Sequence, residues 1–133
     1  MSLKLSFSQS LVAGSKAAGA SVIINVILFY IFHATGVITD NFFIKPNQPL
    51  TVVPVIISSI LPSLLGAAVF FLFEKFTYNG FKLFSIVAII LMLLSLSSPF
   101  LAAQNMPVDY AIALDLMHVA VAFSLLFFIK RAK

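Results

Sequence analysis

Four long apolar stretches separated by short polar turns set the pattern of this chain. They run from Ala17 to Val37, Thr51 to Phe73, Lys82 to Ala103 and Asp109 to Ile129. Each has about the twenty helical residues that a hydrocarbon core of roughly 30 Å requires. A segment crossing a bilayer must bond its own backbone groups, so it is either a helix or part of a closed barrel. Barrel strands alternate apolar and polar positions over about ten residues, and these stretches do not alternate. The pattern predicts an all-α, integral membrane four-helix bundle. Residues 1–133 form one transmembrane domain.

The connections are short, which makes consecutive helices antiparallel neighbours. The first, Ile38 to Leu50, carries Pro46 and Pro49 and reads as a turn-rich loop. The second, Glu74 to Phe81, holds the turn signal Asn79-Gly80. The third, Gln104 to Val108, contains Pro107, which is tolerated at a helix start because no donor is needed there. Leu3, Leu5, Phe7 and Leu11 mix with polar positions, so the residues before Ala17 are expected to form a short interfacial helix. They are not expected to be a cleaved leader, because no A-x-A site follows the apolar run.

Composition supports the membrane reading and removes other classes. The chain is 62% hydrophobic and 9% charged, against roughly 45–50% and about 25% in soluble domains. It contains no cysteine, which excludes disulfides, thiolate metal sites and thiol redox chemistry. The net charge of +4 is not gathered on one face, so nucleic acid is not an expected partner; the lipid bilayer is. Lys4, Lys16, Lys75, Lys82, Lys130, Arg131 and Lys133 fall on one side of the predicted topology, and Lys45 alone on the other. By the positive-inside rule both termini are expected in the cytoplasm.

Candidate chemistry lies in the polar residues of the spans. An intramembrane carboxylate costs about 2.5–3.5 kcal/mol at mid-span and so is expected to face the bundle interior with a partner. At 1.5 Å per residue, Asp115 and His33 lie roughly 9 and 6 Å below the outer end, while His118 and Asn25 lie near the midplane. Ala111, Asp115, His118 and Ala122 form one stripe, and the i,i+3 pair Asp115–His118 can interact directly. In the second span, Ser58, Pro62 and Gly66 make one row of small residues, and Ser59, Ser63 and Ala67 another. Such rows admit close helix approach. Pro62 cannot donate to the Ser58 carbonyl, so a bend is expected there. Ser95 and Ser98 lie in the outer half of the third span. Asp109 reads as a cap of the fourth helix, and Glu74 with Lys75 as an interfacial charge pair.

The order of these features resembles an uncharacterised family of small four-span bacterial membrane proteins of unknown function. The resemblance rests on an Ala/Gly-rich first helix with Asn25, the stretch Pro54 to Gly66, Leu94 to Pro99, and Leu116-Met117-His118. It implies this topology and a bacterial inner-membrane setting, and it supplies no catalytic residue.

No nucleophile elbow, phosphate loop or metal cluster is present, so an enzyme is not expected. Three functions remain. The first is an accessory, interaction or ligand-binding subunit in which Asp115 and His118 form an intramembrane polar pair. The second is a small proton-coupled carrier using Asp115 and His118, with Ser58, Ser59, Pro62, Ser63, Ser95 and Ser98 along its path or in its packing. A carrier this small would need a homo-oligomer. The third is a binder of lipid, quinone or haem. Haem would call on His33 and His118, whose depths differ by roughly 7 Å, a poor match for two axial ligands. No cofactor or metal is required by the sequence, and the identity of any small-molecule or ion ligand stays open.

Overall fold

The computed structural model describes residues 4–38, 43–45, 48–49, 51–97 and 107–133. Four helices are present: α1 (Phe7–Ala34), α2 (Val52–Phe76), α3 (Gly80–Ser95) and α4 (Val108–Ala132). A two-stranded antiparallel ladder, β1 (Phe43–Lys45) with β2 (Gln48–Pro49), sits in the first connection. The all-helical reading stands with this addition.

Three helices, α1, α2 and α4, are long and apolar enough to cross a membrane, and 18-residue stretches within them have mean hydropathies of 1.9, 2.3 and 2.3. Helix α3 has 16 residues and ends at Ser95, with Leu96 as its C-cap, which gives roughly 24 Å of rise. Leu96 and Ser97 form a turn, and residues 98–103 of the third expected span, Ser98 among them, lie outside the described residues. α2 runs through Pro62 without interruption.

The first helix departs from expectation. No separate interfacial helix precedes it, because α1 is continuous from Phe7. Ser6 caps it: its Oγ accepts the Gln9 N–H at 3.1 Å, while Gln9 Oε1 accepts the Ser6 N–H at 2.9 Å. This reciprocal pair satisfies two donors that a helix start leaves free. At 28 residues α1 is roughly 42 Å long, so it extends beyond a hydrocarbon core. It ends at Gly36, whose φ of 83° is the left-handed conformation that glycine adopts without strain. The Val37 and Ile38 N–H groups then fold back onto the Phe32 carbonyl at 2.9 and 3.0 Å, as in a Schellman-type stop.

Helix α1 packs chiefly on α2 and α4. The buried positions of α1 include Ser10, Ala13, Gly14, Ala17, Ala18, Ser21 and Asn25. They face Ser59, Ser63 and Ala67 of α2. Small side chains on both sides let the backbones approach closely. A Cβ on Gly14 would lie 2.5 Å from Ala67 Cβ and 3.0 Å from the Ser63 carbonyl oxygen. No larger residue fits there without moving a helix. Two apolar clusters bracket this seam. One holds Leu5, Ala17, Ala67, Phe70, Phe84 and Ile129; the other holds Phe29, Ile38, Val55, Tyr110 and Met117.

At the end where α1 begins and α4 finishes, Glu74 is 2% exposed. The expected Glu74–Lys75 pair is not what forms. Lys133 Nζ donates to both Glu74 oxygens at 2.8 and 2.7 Å, and the Leu5 N–H donates to Oε2 at 3.2 Å. Lys75 instead lies over the Phe76 ring. The reason is helical register. The row Ser59, Ser63, Ala67 continues through Phe70 to Glu74, and this row faces inward while Lys75 faces out. Gly80 completes the enclosure: a Cβ there would lie 2.6 Å from Glu74 Cα.

Candidate functional site

Two polar arrangements arise from adjacent faces of α2, and they differ in kind. On the α1 side, Asn25 Nδ2 donates to Ser59 Oγ at 2.8 Å and to the Met117 carbonyl at 3.3 Å. Ser59 Oγ donates to the Val55 carbonyl, Ser63 Oγ to the Ser59 carbonyl and Ser21 Oγ to the Ala17 carbonyl, each at 2.8 Å. Asn25, Ser21, Ser59 and Ser63 are all buried. This layer ties α1, α2 and α4 together near mid-height. Asn25 Oδ1 is buried without a hydrogen-bond partner.

The other face of α2 lines a cleft of ≈ 350 Å³ between α2, α3 and α4. Ser58, Pro62 and Gly66 of α2, Ser95 of α3, and His118 and Ala122 of α4 all border it. The rest of the wall is apolar, with Phe84, Leu91, Met92 and Leu125 prominent. Ser58 Oγ donates to the Pro54 carbonyl, and Ser95 Oγ donates to the Met92 carbonyl at 2.7 Å. Each hydroxyl proton is thereby engaged on its own helix. What both serines can still offer the cleft is an acceptor oxygen. The imidazole of His118 can donate from one nitrogen and accept at the other.

The candidate residues therefore separate. Ser58, Pro62, Ser95 and His118 share the cleft, while Asn25, Ser59 and Ser63 belong to the seam. The depth match of Asn25 with His118 brings Asn25 to the backbone of Met117, not to the imidazole. His33 lies beside the Phe29 ring at 5.8 Å and is not among the residues lining the cleft, so the two histidines do not share that cavity. Asp115 is half-buried, one turn from His118 toward the other end of α4. Its Oδ1 is buried without a hydrogen-bond partner, and among the described residues no hydrogen bond joins it to His118. Asp109 sits in the first turn of α4 behind Pro107, and its carboxylate accepts the Tyr110 N–H at 2.9 Å. Ser98 is not described.

Sequence reasoning missed Glu74 with its partner Lys133. The available signal was the inward row of α2, which reaches Glu74 when extended past Ala67.

Fold and composition define the class: a small helical membrane bundle with a polar seam and a mostly apolar cleft. Within that class the chain belongs to a family of unknown function, DUF6069, which it matches over residues 6–133. No curated protein and no solved structure matches it.

Proposed function

We propose that this protein is a non-enzymatic membrane protein that holds an amphipathic, lipid-like small molecule in the α2–α3–α4 cleft. The observation that carries the reading is the cleft itself: an apolar cavity with His118, Ser58 and Ser95 as its convergent polar groups. Ligand sites between helices of bundles have this character, mostly apolar with a few placed polar groups. The two serine oxygens are left as acceptors, which favours a head group that donates, such as a hydroxyl; a quinol or a diacylglycerol-like alcohol has that chemistry. At ≈ 350 Å³ the cleft accommodates a head group and part of a chain.

The setting proposed with it is a bacterial inner membrane with both termini in the cytoplasm. Seven of the eight Lys and Arg residues fall at the end where α1 begins and α4 finishes, as the positive-inside rule requires. This setting takes α3 as part of a third span.

The test is retention of small molecules through purification, read by mass spectrometry of extracted lipid. Ala122→Phe should fill the cleft and His118→Ala should remove its main polar group. Both should lose the retained species while keeping the wild-type helical content. Unchanged retention in both variants would reject the reading.

A second reading has its own support. The unpartnered Asp115 oxygen one turn from His118 suits a proton-coupled carrier, assembled as a homo-oligomer because one bundle is too small to enclose a path. That reading predicts that Asp115→Asn abolishes pH-driven flux in liposomes while the cleft still retains its ligand.

A further inference from the structure

A second cavity lies between α1 and α4 at the cationic end, and its chemistry differs from that of the cleft. Its volume is ≈ 370 Å³, and its rim carries Ser8, Gln9 and Lys16 of α1 with Arg131 of α4. Leu5, Val12 and Phe128 contribute apolar wall. Two cations from two helices thus border one cavity, and both are exposed.

Among the described residues neither cation meets a carboxylate. Glu74, which lies at this end, is enclosed by Lys133 and the Leu5 N–H. Asp109 and Asp115 lie in the other half of α4. Among the described residues Lys16 and Arg131 make no ion pair. Gln9 Oε1 is engaged by the Ser6 N–H, which leaves its amide nitrogen as a further donor. The cavity therefore presents a guanidinium, an ammonium and an amide N–H beside apolar surface, without a counter-charge of its own.

From this juxtaposition we infer that the α1–α4 cavity is a binding site for the phosphate of an anionic phospholipid. Arg131 engages the phosphate oxygens with its planar fork, which suits bidentate contact. Lys16 supplies a second point charge from deeper along α1, its apolar stem lying along the helix. Val12 and Phe128 take the first part of an acyl chain. Lys16 is nine residues beyond Phe7, or roughly 14 Å along α1, so the two cations bracket the depth over which a head group meets its chains. Basic pockets between helices at a membrane edge are suited to anionic head groups. Inorganic phosphate shares the charge but lacks the chain that the apolar wall would hold.

The experiment uses the full chain in mild detergent. Phosphatidylglycerol, phosphatidylcholine or inorganic phosphate is added, and bound adducts are counted by native mass spectrometry beside the thermal midpoint. Phosphatidylglycerol should give a defined adduct and raise the midpoint; phosphatidylcholine and phosphate should not. The double variant Lys16→Gln with Arg131→Gln should lower phosphatidylglycerol retention roughly tenfold or more, given about one kcal/mol for each basic residue near an anionic surface. Lys82→Gln, an exposed cation outside the cavity, should leave retention unchanged. The inference is overturned if both lipids bind equally, if phosphate alone reproduces the shift, or if Lys82→Gln costs as much as the double variant. If the double variant unfolds, Arg131→Lys decides: it keeps the charge but loses the fork, and it should weaken phosphatidylglycerol retention severalfold, whereas undiminished retention rejects the site.

Discussion

Ser58, Pro62 and Gly66 stand one residue before Ser59, Ser63 and Ala67, yet the two rows have opposite fates. The second row is buried against α1, where Gly14, Ser21 and Asn25 are small or hydrogen-bonded. The first row borders a cleft. Small residues permit close approach, but a close contact forms only where the facing helix is also small. Opposite Ser58, Pro62 and Gly66 stand His118, Leu125, Leu91 and Met92. Side chains of that bulk hold α3 and α4 away from the α2 backbone and leave space between them. The seam is where the bundle is held; the cleft is where it can take something up.

The largest test of this contrast is at Glu74, which closes the seam at the cationic end. Glu74→Ala strands Lys133 and the Leu5 N–H. Removing one partner of a buried pair costs about 3–5 kcal/mol. The Lys133 side chain is 15% exposed, so the low end of that range, about 3 kcal/mol, is expected in a denaturation assay in detergent.

Two glycines give the next contrast. Gly14→Leu forces side-chain volume against Ala67 and the Ser63 carbonyl and should cost about 1–3 kcal/mol. Gly66→Ala meets the side chain of Leu125, closest at its Cδ2, 2.4 Å away, the far end of a side chain that can turn aside. It should change the thermal midpoint little while narrowing the cleft and weakening ligand retention. If Gly66→Ala destabilises as much as Gly14→Leu, the two faces of α2 are equally tight and the contrast fails.

Asn25→Ala should cost less than Glu74→Ala or Gly14→Leu. It removes the bonds to Ser59 and Met117, and interhelical hydrogen bonds in membranes average about 0.6 kcal/mol with a maximum near 1.7. A loss of about 1 kcal/mol is expected in the same assay. No loss would mean that the polar layer does not hold the seam.

Much of the fold was legible because apolar length and the 3.6-residue period act locally. The two rows of α2 could be read from spacing alone. Their different environments could not, because which row meets α1 depends on the residues of a helix far away in sequence. The start of α1 is legible in Ser6 and Gln9, which have the spacing of a capping box, whereas apolar length alone places it at Ala17. The Glu74–Lys133 pair spans 59 positions and needs the α2–α3 turn at Gly80 to close over it. Matching depths brought Asn25 to the level of His118, but depth says nothing of azimuth. His118 turns to the cleft, while Asn25 meets the neighbouring backbone.

The most direct measurement exploits the absence of cysteine from the chain. Single cysteines at positions 58, 62 and 66, and separately at 59, 63 and 67, can each carry a nitroxide spin label in the protein reconstituted in lipid. The readout is relaxation by molecular oxygen, which dissolves in the bilayer and in open apolar space. The account predicts high oxygen accessibility at 58, 62 and 66 and low accessibility at 59, 63 and 67. Equal accessibility in the two rows, or the reverse order, would contradict it.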